Sequence, residues 1–543
     1  MISQDSINKF RPQVSLPVVT FLAAFFIVTF DNLTLWNSLV ESLGLDSVDH
    51  WLFLGLVWLV LLLAFNILFT LLAFRPVFKP FLCLIFLVAA GAGYFTDSFG
   101  TIIDKTMIYN ALETDSHEAL ELLTWPLFRH LSLYGFAPVT LLLLTRIRYR
   151  PLKREMLTRA TVIVGSLVLI AGLGYANFKE LVLFGRENRD LRMLVNPVYP
   201  ISSVQRVIKK EFFARAKPPL QALATDATRD AVGRSVFVMV VGETARSQEF
   251  AFNGYSRNTN PYLGHYDMVD FTDVAACGTS TIESVPCIFS HLEHSDFSRD
   301  QAGNSENLLD VLQRVGVKVV WLDNNSSSKG VADRVLYKDF RHQENSDLCP
   351  NGECYDEILL QGLATEISES DQDLLVVLHI NGSHGPSYYK RTPAAFKVFT
   401  PECSIDNVQD CSQQEIINAY DNTIVYTDYV LAKVIDLLSA QDIPGALLYV
   451  SDHGESLGEN GIYLHGLPYA LAPAEQTSVP MLFWASEEFL TRKEIDLPTL
   501  QSNRQISYSH DNIFHSMLGL FGVNTGAYHP DLDLFADSHL GRG

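Results

Sequence analysis

Two rhythms of apolar and polar positions divide the chain. Over the first third, long apolar runs alternate with short polar loops. Five runs, at 16–36, 51–74, 77–95, 125–145 and 161–178, approach or reach the length of about 20 residues that a helix needs to cross a bilayer. No small-residue cleavage site follows the first, so it is expected to be an anchor and not a removed signal. From Ser235 the rhythm changes. Short β-branched-rich runs at 236–241, 317–322, 374–380, 447–450 and 479–484 are each followed by a polar loop, and helical periodicity fills the gaps, most plainly over 414–438. Such alternation predicts an α/β domain with a mostly parallel sheet covered on both faces. The expected organisation is a five-helix membrane domain over 1–178, a connecting segment over 179–230 and an α/β domain over 231–543. The connecting segment fits amphipathic helices on a membrane surface and an ordinary helical linker equally well.

Charge orients this plan. Lys9 and Arg11 precede the first run, Arg75 and Lys79 sit between the second and third, and a cluster from Arg146 to Arg159 sits between the fourth and fifth. The alternate loops are acidic, with Glu41, Asp46 and Asp49, then Asp97, Asp104, Glu113, Asp115, Glu118 and Glu121. Basic loops face the cytoplasm, which puts the amino terminus inside and everything after Phe178 outside. Charged residues are 19% of the chain, below the usual quarter, and mean hydropathy is +0.14, as expected if part of the chain lies in lipid. A net charge of −21 argues against nucleic acid as a partner, because phosphate backbones need a basic surface. Six of the seven cysteines form close pairs, Cys277/Cys287, Cys349/Cys354 and Cys403/Cys411, while Cys83 lies in an apolar run. Local pairs of this kind suggest three disulfides and an oxidising compartment. None has the C-x₂-C spacing of a zinc knuckle.

The α/β runs end in reactive side chains. The 447–450 run delivers Asp452-His453-Gly454-Glu455 at its carboxyl end, the edge where open α/β sheets bind ligands. A carboxylate oxygen beside an imidazole nitrogen suits zinc, and His465 follows within one loop. Taken alone, the stretch also fits a strand ending in a polar turn. Three further runs end alike, in Glu243, in Asp323 followed by Lys329, and in Asn381-Gly382-Ser383-His384. Glu243 by itself equally fits a carboxylate favoured by a helix dipole. The segment from Cys277 to Cys287 is rich in hydroxyls, and pinned ends would hold a nucleophile at a helix amino terminus, where free N–H groups receive phosphate oxygens.

CGTSTIESVPC, NGSHGPSYY, YDNTIVYTDY and SDHGESLGENGIYLHGLPYA resemble the lipid A phosphoethanolamine transferases, the group that includes the mobile colistin-resistance enzymes, and the likeness covers the whole chain. It implies five spans in the bacterial inner membrane and a periplasmic sulfatase-like domain of the alkaline phosphatase superfamily. It implies that Glu243, Thr281, Asp452 and His453 hold one catalytic Zn²⁺ and that Thr281 becomes phosphorylated. Lys329, His384 and His465 would line the phosphate and substrate side, or bind a second metal. In the outer loop, Asn110, Thr114 and Glu118 match positions the family uses for the lipid head group. The six paired cysteines also fit the family's disulfides. The implied reaction carries phosphoethanolamine from phosphatidylethanolamine to a phosphate of lipid A, by a monomeric enzyme. A zinc ion would favour the alkoxide of Thr281, otherwise a poor nucleophile at neutral pH, and His384 or His465 could protonate the leaving group.

The rivals differ in definite ways. A sulfatase needs Cys or Ser in a C/S-x-P-x-R motif, whereas Thr281 is followed by Ile-Glu-Ser-Val-Pro. A catalytically dead receptor has no reason to keep Glu243, Thr281, Lys329, Asp452 and His453 together. A transferase or phosphodiesterase acting on another envelope glycan stays open as the alternative.

Overall fold

The structure is a computed structural model that describes residues 12–114, 116–213, 219–229, 233–343 and 347–538. Lys9, Arg11, Asp115 and the side chain of Glu118 lie outside the described residues. The chain divides into two compact units: one runs to Ile108 and resumes over Leu123–Phe212, and the other comprises Tyr109–Leu122 and Phe213–Gly543.

The first unit is helical. Four helices, Val48–Leu71, Phe78–Phe99, Trp125–Leu144 and Leu152–Ala176, are long and apolar enough to cross a membrane. The run expected as one span over 16–36 is a bent pair, α1 (Leu16–Phe30) and α2 (Leu33–Leu43), meeting at 59°, and taken as one broken span it brings the number among the described residues to five. Polar residues at the break explain the bend. Asn32 Nδ2 donates to the Asn196 carbonyl at 2.9 Å, the Asn196 N–H donates to Asn32 Oδ1 at 2.8 Å, and the Asn196 side-chain Nδ2 donates to the Asp31 carbonyl at 2.8 Å, so a residue distant in sequence supplies hydrogen bonds at a point where the helix is interrupted. The last long helix begins at Leu152, earlier than the apolar run at 161–178 suggests. Its basic first turns are absorbed locally: Glu155 accepts from the Arg150 N–H at 2.9 Å and pairs with Arg159 at 3.2 Å.

The second unit is built on a seven-stranded sheet. Its strands are β1 (Val236–Gly242), β2 (Val269–Phe271), β3 (Lys318–Asp323), β4 (Leu336–Asp339), β5 (Leu374–His379), β6 (Gly445–Ser451) and β7 (Met481–Ala485), in the spatial order β2-β7-β6-β1-β5-β3-β4. The five from β6 to β4 are parallel, and β7 and β2 close one edge antiparallel. β1, β5 and β6 are buried along their whole lengths, and strands buried on both faces read as continuous apolar runs. Their side chains still alternate. Phe237, Met239 and Val241 join one core with Trp321, Val377 and Leu448, while Val236, Val238 and Val240 join the other with Ile424, Leu431 and Ile435. The latter three belong to α3 (Gln413–Ser439), whose start is fixed by a capping box between Ser412 and Glu415. Sulfur–sulfur bonds join Cys277 to Cys287, Cys349 to Cys354 and Cys403 to Cys411, and Cys83 is unpaired.

Leu431 is fully buried between α3 and the sheet. Leu431→Ala should cost about 2–5 kcal/mol of stability, read as an earlier thermal or denaturant transition of the detergent-solubilised protein, while Lys433→Ala on the exposed side of α3 should move it little.

Candidate metal and phosphoryl-transfer site

Register builds the site. Parallel β1 and β6 pair Gly242 with Ser451, so the residues that follow, Glu243 and Asp452, emerge side by side at the carboxyl edge. The Asp452 N–H donates to the Gly242 carbonyl at 2.9 Å and prolongs the ladder to that point. Glu243, Asp452 and His453 are fully buried, and their ligand atoms form one group able to hold a metal ion. His453 Nε2 lies 3.3 Å from Glu243 Oε1 and 3.4 Å from Asp452 Oδ2. On the far side of the ring, Nδ1 lies 2.9 Å from the Gly454 carbonyl, which can only accept. The proton therefore sits on Nδ1, and Nε2 is the nitrogen turned to the carboxylates.

Thr281 enters from a third direction as the first residue of the helix Thr281–Ile288. Its Oγ1 donates to Glu243 Oε2 at 3.0 Å and lies 3.3 Å from His453 Nε2. The Cys277–Cys287 disulfide brackets this helix start. Thr279 ties it to the loop carrying His465: its hydroxyl donates to the Leu467 carbonyl at 2.6 Å, and its carbonyl accepts from the Gly466 N–H at 2.8 Å.

Electrostatics explain how such a set survives burial. Burial raises the Asp452 carboxyl, the neighbouring Glu243 charge raises it further, and it reaches about 6. Burial works the same way on Glu243, but the adjacent His453 imidazole overcomes it and holds that carboxyl below the usual range. Burial alone would lower the His453 imidazole; Asp452 and Glu243 instead raise it to about 10. The two carboxylates thus lean on a positive neighbour, a part that His453 takes here. Glu243 Oε1 and Asp452 Oδ2 accept no hydrogen bond from the described residues. Two buried carboxylate oxygens without donors, beside an imidazole nitrogen and a hydroxyl, fit a divalent cation of the zinc type.

The other expected residues surround this cage to different degrees. His465 packs against His453 with ring centroids 4.4 Å apart, and against His384 at 5.5 Å. Its Nδ1 is held by Glu455 Oε2 at 2.7 Å. The His384 loop rests on the backbone of Glu243, whose carbonyl accepts from the Ser383 N–H at 3.0 Å. Gly382 makes this approach with φ +53°, and a Cβ there would stand 2.7 Å from that carbonyl oxygen. Lys329 is linked to the cage indirectly: its Nζ donates to Ser326 Oγ at 2.7 Å, next to Asn325, whose amide donates to Glu243 Oε2 at 2.8 Å. Asn110 and Thr114 bond along their own helix, the Thr114 hydroxyl donating to the Asn110 carbonyl at 2.7 Å. Sequence reasoning missed Asn325 and the orienting role of Glu455. Asn325 stands two residues beyond β3, which was the available signal; Glu455 stands inside Asp452-His453-Gly454-Glu455 itself.

Comparison with known proteins agrees with this geometry. The Sulfatase family profile matches residues 235–523, and the profile "Phosphoethanolamine transferase EptA/EptB" matches residues 61–212. Phosphoethanolamine transferase EptA of Escherichia coli (strain K12) is 38% identical over 535 residues, covering 96% of this chain and 97% of that protein. Phosphatidylethanolamine transferase Mcr-1 of Escherichia coli is 38% identical over 533 residues, covering 95% and 96%. Among solved structures, lipooligosaccharide phosphoethanolamine transferase A (EptA) of Neisseria meningitidis superposes with a TM-score of 0.93 at 33% identity, covering 97% of this chain and 99% of that one. The chain belongs to the phosphoethanolamine transferase family.

Proposed function

We propose that this enzyme transfers phosphoethanolamine from phosphatidylethanolamine to a phosphate of lipid A, by way of a phosphorylated Thr281, in the bacterial inner membrane with its catalytic unit in the periplasm. The observation that carries the reading is the Thr281 hydroxyl held within hydrogen-bond distance of buried Glu243, beside Asp452 and His453. Glu243, Asp452 and His453 would hold Zn²⁺ together with Thr281. When bound, the ion would favour the ionised hydroxyl and draw charge from the phosphoryl oxygens. The acceptor reading is also supported by relatives, one of them named Kdo(2)-lipid A phosphoethanolamine 7''-transferase.

The chain's own groups account for both steps. Thr281 Oγ passes its proton along its hydrogen bond to Glu243 and attacks the phosphorus of the donor phosphodiester; a new oxygen–phosphorus bond forms and the bond to diacylglycerol breaks. The leaving alkoxide takes a proton from His384 or His465, imidazoles packed beside the cage, of which His465 is oriented by Glu455. A lipid A phosphate oxygen then attacks the phosphothreonine; the bond from phosphorus to Thr281 Oγ breaks as the new one forms, Oγ takes back the proton held at Glu243, and the proton lost by the acceptor phosphate recharges the imidazole. Both reactants are lipids, which accounts for joining a catalytic unit to membrane helices. The three disulfides and the acidic loops support the periplasmic placement, and the enzyme is proposed to act as a monomer.

Thr281→Ala should fold, keep its zinc nearly intact and transfer nothing. Glu243→Ala and His453→Ala should lose zinc as well as activity, measured by elemental analysis and a transfer assay. Residual transfer by Thr281→Ala, or phosphate trapped on Ser280, would refute the assigned nucleophile.

Expression should add phosphoethanolamine to lipid A, seen by mass spectrometry, and raise polymyxin resistance. Each addition sets an ammonium beside a phosphate and weakens one contact to a multiply charged peptide, and the losses multiply across contacts. Unchanged lipid A from cells making zinc-loaded protein would redirect the search to another envelope glycan.

A reporter fused after Phe178 should be active only if it works in the periplasm, and one fused at Arg150 only if it works in the cytoplasm. The reverse pattern would overturn the topology.

A further inference from the structure

The segment Tyr109–Leu122 groups with the catalytic unit although it lies in sequence between membrane helices. It holds the second half of the helix Lys105–Glu113 and the short helix Ser116–Glu121, both too short to be stable without outside contacts. Two carboxylates near its ends supply such contacts. Glu113 pairs with Arg299, lies 3.8 Å from Lys329 Nζ, and is joined by Tyr109, whose ring lies 4.7 Å beneath the Arg299 guanidinium. Glu121 pairs with Lys390 at 3.1 Å and with Arg391 at 3.4 Å.

The receiving cations are themselves fixed, and what fixes them is informative. Lys390 is held by Asp406 at 2.8 Å, and Arg391 by Glu353 at 2.8 Å. Arg391 Nε also donates to the backbone carbonyl of His384 at 3.2 Å. One carboxylate therefore ends on Lys329 and the other, through Arg391, on the peptide of His384. Those are two of the three residues assigned to the phosphate side of the site. Thr114 lies between the two carboxylates in sequence, and Asn110 lies three residues before Glu113. The Glu121 and Arg391 side chains are only 7% and 4% exposed, so their attraction is screened less than that of a surface pair. Beside them opens a cavity of about 580 Å³, walled in part by Leu120, Glu121, Tyr355, Tyr389 and Lys390.

We infer that Glu113 and Glu121 are positioning residues that clamp the head-group segment onto Lys329 and the His384 loop, and so set the affinity for the lipid donor rather than the rate of the chemical step. The inference rests on the proposed role of Asn110 and Thr114 toward the donor head group. Ordering the segment before the lipid arrives removes an entropic cost from binding, and neither carboxylate is among the groups that bond Thr281.

The test uses full-length protein in vesicles of phosphatidylethanolamine and lipid A, comparing wild type with the double variant Glu113→Gln/Glu121→Gln. The apparent KM for phosphatidylethanolamine should rise about tenfold, as for the loss of a few partly exposed charge pairs, with kcat changed by less than about twofold and zinc content unchanged. Added salt should raise the wild-type KM modestly, through the partly exposed Glu113–Arg299 pair, and the variant less. Hydrogen exchange of peptides covering 109–122 should be faster in the variant. Glu113→Arg should weaken donor binding, and adding Arg299→Glu should restore most of the loss. Unchanged exchange, or a fall in kcat at constant KM, would overturn the clamp. If wild-type protein transfers nothing from these vesicles, the donor reading fails, and the exchange comparison alone then decides the clamp: faster exchange in the variant upholds it and equal exchange ends it.

Discussion

Glu243 and Asp452 carry like charges a few ångströms apart in a region from which water is excluded, because the register of two parallel strands leaves their side chains nowhere else to go. Such a pair repels strongly at low dielectric and is tolerable only around a positive centre. His453 meets part of that demand through its raised basicity, and a divalent cation would meet it better. Much of the surrounding structure serves this constraint. Asn325 and Thr281 donate to Glu243, the Thr244 N–H donates to Asp452 Oδ1 at 3.3 Å, and the Ser383 loop packs on the Glu243 carbonyl. The apolar cores on both faces of the sheet hold β1 and β6 in the one register that keeps the carboxylates together.

The same economy of placement appears away from the cage. Each imidazole or ammonium assigned to the phosphate side is oriented by a neighbour: His465 by Glu455, Lys329 by Ser326, and His384 through its peptide by Arg391. Orientation of this kind fixes a proton or charge in advance of the substrate. The membrane-type unit follows a related rule, because the broken helix at Asp31–Asn32 gains its missing hydrogen bonds from Asn196.

The central strands are legible in the sequence because burial on both faces makes them uninterrupted apolar runs, and the long helix over 414–438 because its period is clear and its cap is strong. The edge strands Val269–Phe271 and Leu336–Asp339 are not, being three and four residues long and, in β4, mostly exposed. The bend after Phe30 is also invisible locally, since the residue that stabilises it lies far along the chain. At the site, strand-end logic brings Glu243, Asp452 and His453 forward as candidates, and their joining in one metal set needs the family likeness. Choosing Thr281 among several hydroxyls needs the family likeness, and Asn325 needs the fold, because nothing near it in sequence indicates that its amide meets Glu243. Glu113 and Glu121 read in sequence only as outer-loop charge; their partners come from Arg299, Lys329, Lys390 and Arg391, each remote in the chain.

That Tyr109–Leu122 belongs to the catalytic unit while being encoded between membrane helices bears on how inhibitors are sought. A water-soluble fragment beginning after the linker would keep the whole sheet, the three disulfides and the buried cage, and would pass as an intact enzyme head in most assays of folding. It would lack the peptide whose carboxylates meet Arg299, Lys390 and Arg391, leaving those cations with fewer acidic partners, although Lys390 would keep Asp406 and Arg391 would keep Glu353. Compounds selected against such a fragment would be drawn to an anion-hungry surface that the full protein has already filled, so a screen needs the complete chain to present the pharmacological target.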